Sequence, residues 1–87
     1  MGLGVQFEGL LAAARTGGEW ALAALYRDLH PAVLRYLYSQ NPGDAEDLAS
    51  EAWLDVARGL QRFDGDETAS RRWVFTIARR RLLDHRR

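Results

Sequence analysis

Apolar side chains recur every three or four residues between Ala45 and Leu60, and this spacing places them along one face of an α-helix. The positions that share this face are Ala45, Leu48, Ala49, Ala52, Trp53, Val56, Ala57 and Leu60. A strand would require alternation at every second position, and no segment of the sequence shows it. Asp44 directly precedes the series and is the predicted N-cap of this helix. The sequence therefore predicts an all-α fold.

Two helices are predicted before this one. Residues Gln6–Arg15 carry apolar side chains at helical spacing, and Thr16–Gly18 end that helix with residues that favour turns. A longer helix is predicted over Glu19–Ser39. Pro31 lies inside it and has no amide N–H to donate, so we expect the helix to kink or divide near His30.

The segment after the central helix predicts a loop and then a final helix. Gln61–Ala69 shows no apolar period, and Thr68 or Ser70 is the predicted N-cap of a helix over Arg71–His85. Together these elements predict a compact bundle of three to four helices in a single domain. In that domain we expect residues 1–18 to form the N-terminal helix and turn, and residues 19–87 to form the helical core.

Length and composition set limits on the protein's class. The chain has 87 residues, enough for one domain with a core, and it contains no cysteine for disulfides or thiolate metal sites. No apolar run approaches the ~18 residues that a membrane span needs, and the N-terminus lacks the signal-peptide pattern. We therefore expect a cytoplasmic protein without a membrane partner.

The charges are balanced in number, with 12 basic and 12 acidic residues, but they are not mixed along the chain. Asp44–Glu67 contains eight acids and two arginines, whereas Arg71–Arg87 contains seven arginines and one acid. A basic helix attracts phosphates and an acidic helix repels them. The division therefore indicates two different partners.

The acids of the central helix gather on the side opposite its apolar face. Asp44, Asp47, Glu51 and Asp55 fall within about 80° of arc at 100° per residue, and Leu54 lies among them. A solvated face stabilised by the helix dipole explains the acids of the first turn only. Glu51 and Asp55 lie further along, so a protein-binding surface is the favoured interpretation.

The arginines of the final helix are predicted to form a continuous basic face, with the exception of Arg81. The face comprises Arg72, Thr76, Arg79, Arg80, Leu83, Arg86 and Arg87. Arg81 projects about 180° from Arg72, on the apolar side, at 100° per residue. Because an unpaired buried guanidinium is very costly, we expect Arg81 to form an internal ion pair or to cap carbonyls.

The aromatic and histidine residues indicate no catalytic or metal site. Trp53 and Trp73 lie on helical stripes and are predicted to be structural. His30 and His85 have no second nitrogen ligand or activated nucleophile at a supporting spacing. We therefore expect neither an enzyme nor a bound cofactor or metal.

Three stretches in this order carry a family resemblance. The first runs from Leu25-Tyr26 through His30-Pro31 to Leu34-Arg35-Tyr36, the second is Asp44-Ala45-Glu46-Asp47-Leu48, and the third is Trp73-Val74-Phe75-Thr76-Ile77-Ala78-Arg79. Together they resemble region 2 of bacterial sigma factors, specifically the small extracytoplasmic-function group, over about Ala24–Arg87. The resemblance implies a non-enzymatic domain that joins RNA polymerase and recognises the promoter −10 element as the duplex opens.

The resemblance implies that the acidic helix docks on the clamp helices of the polymerase β′ subunit. The predicted polymerase-binding residues are Asp44, Asp47, Ser50, Glu51 and Leu54. Carboxylates on one helical face can pair with arginines of a partner helix, where they set register and association rate. Ser50 stands where the family commonly has glutamine, and its shorter side chain weakens the case for that contact.

The resemblance also implies that the loop receives a base extruded from the non-template strand, while arginines of the final helix bind phosphates. The predicted DNA-binding residues are Phe63, Asp64, Gly65, Asp66, Arg71, Arg72, Thr76, Arg79 and Arg80. Thr76 and Ile77 replace an aromatic pair of housekeeping sigma factors, which implies weaker strand separation and a strict promoter. Arg80 replaces the asparagine usual in the small group, so the base preference stays open.

Ser50 and Arg80 also keep a second function class open. The alternative is a helical protein-interaction module that a regulator binds and that has no promoter-binding activity. An anti-sigma factor is a further partner that the resemblance leaves open. The family's second DNA-binding domain, which binds the −35 element, is absent from the sequence, so we expect an excised fragment that binds promoter DNA weakly by itself.

Overall fold

A computed structural model describes residues 19–86 of the chain. Three α-helices follow one another, α1 over Glu19–Gln40, α2 over Ala45–Gly59 and α3 over Glu67–His85, with a short 3-10 helix at Leu60–Arg62. Residues 19–86 contain no strand, so the all-α prediction is confirmed. The predicted helix at 6–15 and the turn at 16–18 lie outside the described residues.

The core lies where α2 packs against both α1 and α3. Its apolar side chains are Leu25, Leu29, Val33 and Leu37 from α1, Ala45, Leu48, Ala49, Ala52, Trp53 and Val56 from α2, Leu60 from the 3-10 helix, and Val74, Ile77, Ala78 and Leu82 from α3. The apolar positions predicted for α2 are all in this core except Ala57, which is exposed.

Pro31 does not divide α1, which runs without interruption from Glu19 to Gln40. Of the two predicted effects, a kink or a division, division of the helix does not occur. Pro31 is exposed, and the carbonyl of Arg27 that loses its partner lies on an exposed residue that water can reach. Leu29 and Val33 are both buried, so packing holds the helix together on either side of the proline.

The final helix begins four residues earlier than predicted, at Glu67. Asp66 is its N-cap, and its Oδ1 accepts a hydrogen bond from the Ala69 amide at 2.9 Å. Thr68 and Ser70 are therefore helical residues, and the prediction that one of them caps the helix is wrong. The Ser70 hydroxyl instead donates to the Glu67 carbonyl at 2.8 Å.

The beginning of α2 also differs in detail from the prediction. Asp44 occupies the N-cap position, but its side chain makes no capping hydrogen bond. Its Oδ2 lies 2.9 Å from Nε2 of His85 at the end of α3. The carboxylate therefore joins two helices.

Both central tryptophans have structural contacts, as predicted. Trp53 is 7% exposed, and its Nε1 donates a hydrogen bond to Nδ1 of His30 at 3.1 Å. The Trp73 ring stacks on Phe63 with centroids 4.8 Å apart. A Cβ atom at Gly59 would lie 2.9 Å from Cζ2 of Trp73, so the end of α2 approaches this ring as closely as glycine allows.

Candidate functional site

The outer face of α2, which we call the acidic surface, comprises Asp47, Ser50, Glu51 and Leu54. All four residues are exposed, and Leu54 is 55% exposed. Within residues 19–86, Asp47 and Ser50 form neither an ion pair nor a side-chain hydrogen bond. The structure thus brings four of the five predicted polymerase-binding residues together on one accessible face.

Asp44, the fifth predicted residue, lies at the edge of this face. Its side chain is 45% exposed, and its carboxylate is engaged with the ring of His85. A partner that bound Asp44 would therefore compete with an existing contact between α2 and α3.

Arg81 forms the ion pair that the sequence predicted. Its Nε donates to Oδ2 of Asp55 at 2.7 Å and its Nη2 donates to Oδ1 at 3.0 Å, a forked geometry that suits a carboxylate. Arg58 reaches the same Oδ1 at 3.3 Å. Asp55, assigned by sequence to the outward acidic face, is therefore used inside the domain.

The ion pair between Arg81 and Asp55 shifts the pKa of both side chains. The Arg81 hydrogen bonds hold the pKa of Asp55 below its usual range, against a smaller opposing effect of burial. The Asp55 carboxylate raises the pKa of Arg81 in turn. Both shifts stabilise the charged forms, so the pair is ionised at neutral pH.

The outer face of α3, which we call the basic surface, comprises Arg72, Thr76, Arg79 and Arg80. All four are exposed. None of the three arginines forms an ion pair with any residue in the described range 19–86. Arg72 and Arg79 lie two turns apart, about 10.5 Å along the axis at 1.5 Å per residue. The basic surface therefore presents free guanidinium groups in a row.

Three residues predicted in or near this surface have contacts within the domain. Arg71 lies 3.6 Å from Asp28 and 3.9 Å from Glu67. The Thr76 hydroxyl donates to the Arg72 carbonyl at 2.8 Å. Arg86 Nη2 donates to the Gln40 carbonyl at 3.3 Å, at the end of α1.

The loop between the 3-10 helix and α3 consists of residues 63–66 and is shorter than the predicted 61–69. The partly buried ring of Phe63 stacks on Trp73, and a Cβ at Gly65 would lie 3.0 Å from Cζ of Phe63. Asp64 and Asp66 are exposed, and Asp66 is already the cap of α3. The four predicted loop residues thus stand beside the first turn of the basic helix.

The acidic surface is bordered by a groove, and the sequence did not predict this groove. It has a volume of about 420 Å³ and is lined by Leu22, Tyr26, His30, Ser50, Trp53, Leu54 and Ala57. Tyr26 is 44% exposed and stacks on His30 with centroids 4.4 Å apart. The four-residue spacing of Tyr26 and His30 places both rings on one side of α1, and this was the feature of the sequence that could have indicated the groove.

Two further properties concern the whole of the described range. Among residues 19–86, no group of three His, Asp or Glu side chains is placed to hold a metal ion. Over the same range, every helix is too short or too polar to cross a membrane.

The described residues form a helical bundle in which the outer face of α2 is acidic and the outer face of α3 is basic. This arrangement fits the region 2 class of sigma-factor domains that the sequence resembles. The Sigma-70 region 2 family model matches residues 25–87, and the chain therefore belongs to that family of sigma-factor domains. The chain is similar to the ECF RNA polymerase sigma factor BldN of Streptomyces coelicolor, with 35% identity over 78 residues. This match covers 87% of the chain and 30% of BldN, so the chain spans less than a third of that relative's length. No solved structure matches the chain.

Proposed function

We propose that this sigma-factor domain binds core RNA polymerase through the acidic surface of α2, and binds the non-template strand of the promoter −10 element through the 63–66 loop and the basic surface of α3. The observation that carries the proposal is the separation of unpaired charges. The free carboxylate of Asp47 lies on one helix and the free guanidinium groups of Arg72, Arg79 and Arg80 lie on another.

The polymerase-binding half of the proposal rests on the composition of the acidic surface. Asp47 and Glu51 are one helical turn apart and can pair with basic residues of a partner helix. Leu54 adds an exposed apolar side chain beside them, where the groove begins. Charge complementarity at such a surface favours rapid association and a fixed register. The β′ clamp helices are the partner that the family implies.

The DNA-binding half rests on the relation between the loop and the basic surface. The loop ends at Asp66, and Arg72 follows less than two turns later on the outer face of α3. A base removed from its stack costs a few kcal/mol, which a pocket and backbone contacts must offset. The loop supplies the surroundings of the base, and the unpaired arginines supply phosphate contacts.

Reciprocal charge reversals test the two halves together. Asp47→Arg is expected to abolish binding to a fragment that comprises the β′ clamp helices and to retain binding to a single-stranded −10 library. Arg79→Glu is expected to show the opposite pattern. Both positions are exposed, so the melting temperature of each variant should stay close to that of the original chain.

Each variant is the control for the other, since both reverse one surface charge. If the original chain binds the fragment but shows no sequence preference in the library, the proposal is wrong in its DNA-binding half. If neither ligand binds, the proposal is wrong as a whole. A large fall in melting temperature for Asp47→Arg would assign that acid to the fold.

A further inference from the structure

Arg81 lies between the interior of the domain and the acidic surface. It belongs to the basic helix α3, yet its side chain is directed at α2 and is 34% exposed. Its Nε and Nη2 atoms hold Asp55, and its Nη1 lies 3.7 Å from Oε1 of Glu51. One guanidinium group therefore contacts two carboxylates that are one turn apart on α2.

The two contacts differ in strength. The contact with Asp55 is a bidentate hydrogen bond in which both side chains are about two-thirds buried. The contact with Glu51 is a longer ion pair, and the Glu51 side chain is 50% exposed. Asp55 is thus the anchor of Arg81, and the remaining nitrogen of the planar group is directed at Glu51.

We propose that Arg81 is a positioning residue for polymerase binding: anchored on Asp55, its guanidinium holds the Glu51 carboxylate in place at the edge of the acidic surface. The inference rests on the proposed function of that surface. A long side chain that is already held loses less conformational freedom when a partner binds it. An ionised carboxylate has about four acceptor positions, so a contact with Arg81 leaves acceptor capacity for a second cation.

Electrostatics alone predicts the opposite effect, and this difference makes the inference testable. Removal of a cation beside an acidic surface should strengthen binding of a basic partner. Positioning by Arg81 instead predicts weaker binding when Arg81 is removed. The sign of the change therefore separates the two explanations.

The experiment measures the affinity of the 87-residue chain for the β′ clamp-helix fragment. Arg81→Met, which keeps much of the apolar side chain, is expected to weaken binding about threefold, the scale of an exposed ion pair. Arg58→Met is the matched control, since Arg58 also contacts Asp55 but does not contact Glu51. It is expected to bind the fragment as well as the original chain or more tightly.

A double-mutant cycle then distinguishes positioning from a purely structural role. In a Glu51→Gln background, Arg81→Met should have almost no further effect on affinity, because the group that it positions is gone. Asp55→Asn, which removes the anchor and retains Arg81, should weaken binding in the same direction as Arg81→Met. If Arg81→Met does not fold, Arg81→Gln provides the same test of sign, because it removes the cation and retains a polar group that can hydrogen-bond to Asp55.

The outcomes are separable. If the original chain does not bind the fragment, the proposed function and this inference both fail. If the original chain binds and Arg81→Met binds equally or more tightly, the inference alone fails. Additive losses for Arg81→Met and Glu51→Gln would also overturn it, because residues that act through one another are not independent.

Discussion

Arg79 and Arg81 are two residues apart on one helix and have opposite roles in the structure. Arg79 is exposed and forms no ion pair with any residue in the described part of the chain, whereas Arg81 is partly buried and paired with Asp55. The same contrast holds on α2, where Asp47 faces outward and Asp55 is paired. Residue type alone does not decide whether a charged side chain is paired within the described part of the chain. Its position around the helix axis does.

The contacts between α2 and α3 lie between the acidic surface and the basic surface. Asp55 with Arg81, and Asp44 with His85, occupy the line along which α2 and α3 meet. The Asp55–Arg81 ion pair engages one carboxylate and one guanidinium there, whereas the unpaired side chains of Asp47, Arg72, Arg79 and Arg80 are exposed on the outer faces. The acidic surface and the basic surface therefore carry opposite charges that are not paired with each other.

Replacement of an inward residue of α2 should affect stability far more than replacement of an outward one. Leu48 is 1% exposed, and Leu48→Ala is expected to lower the free energy of unfolding by about 2–5 kcal/mol, because it removes buried contacts and leaves a cavity. The control is Leu54→Ala at a site that is 55% exposed, with an expected change within about 0.5 kcal/mol. Chemical denaturation measures both. Equal losses would contradict the assignment of Leu54 to a binding surface.

An outward arginine of α3 should affect DNA binding more than an exposed arginine elsewhere in the domain. Arg79→Ala is expected to reduce the slope of log affinity against log salt concentration by about 0.7, the contribution of one phosphate on a single strand. Affinity for the single-stranded −10 library at several salt concentrations gives this slope. The matched control is Arg35→Ala, since Arg35 is exposed on α1 and lies outside the basic surface. An unchanged slope would show that Arg79 is not a phosphate contact.

The inward ion pair should make stability depend on pH. Because Arg81 lowers the pKa of Asp55 in the folded state, the pair stabilises the fold above the unfolded carboxyl pKa of about 3.9. That stability is lost as the pH falls through the lower, folded pKa. Asp55→Asn should therefore melt a few degrees below the original chain at pH 7, and the gap should narrow as the pH falls below about 4. A gap that is constant with pH would contradict an ionised pair.

The smallest expected effect is at Ser50, where the family commonly has glutamine. Ser50→Gln should strengthen binding to the β′ clamp-helix fragment by about two- to tenfold, the range of one net hydrogen bond. The side chain is exposed, so the melting temperature should not change. Ser39→Gln on α1 is the control for a longer amide at an exposed serine. Weaker binding by Ser50→Gln would indicate that the partner requires the small side chain.

The sequence predicted the helical class and the burial of α2 because apolar spacing reports directly on which side packs. It failed where tertiary contacts override a local rule. Pro31 was predicted to kink or divide its helix, and division does not occur because the buried Leu29 and Val33 hold the helix on either side. The start of α3 was missed because Asp66 and Glu67, an acidic cap and first turn, were assigned to a loop by their lack of apolar period.

The candidate site shows the same limit. Helical geometry placed Arg81 on the inward side and required a partner, but one-dimensional spacing could not say that Asp55 supplies it across 26 residues. The contacts of Asp44 with His85 and of Arg86 with Gln40 are likewise long-range. The groove beside Leu54 depends on how α1 and α2 approach each other, which the pattern of neither helix contains.

Gly59, at the end of α2, affects the 63–66 loop through a chain of packed rings. Any larger residue there would push against Trp73, whose ring stacks on Phe63, and Phe63 in turn lies against Gly65. A larger residue at position 59 would thus displace the Trp73 ring and, through it, Phe63 in the 63–66 loop, the segment that we propose to receive an unstacked base. Under the proposed function, a larger residue at position 59 is expected to change binding to the single-stranded −10 library through this stack of rings.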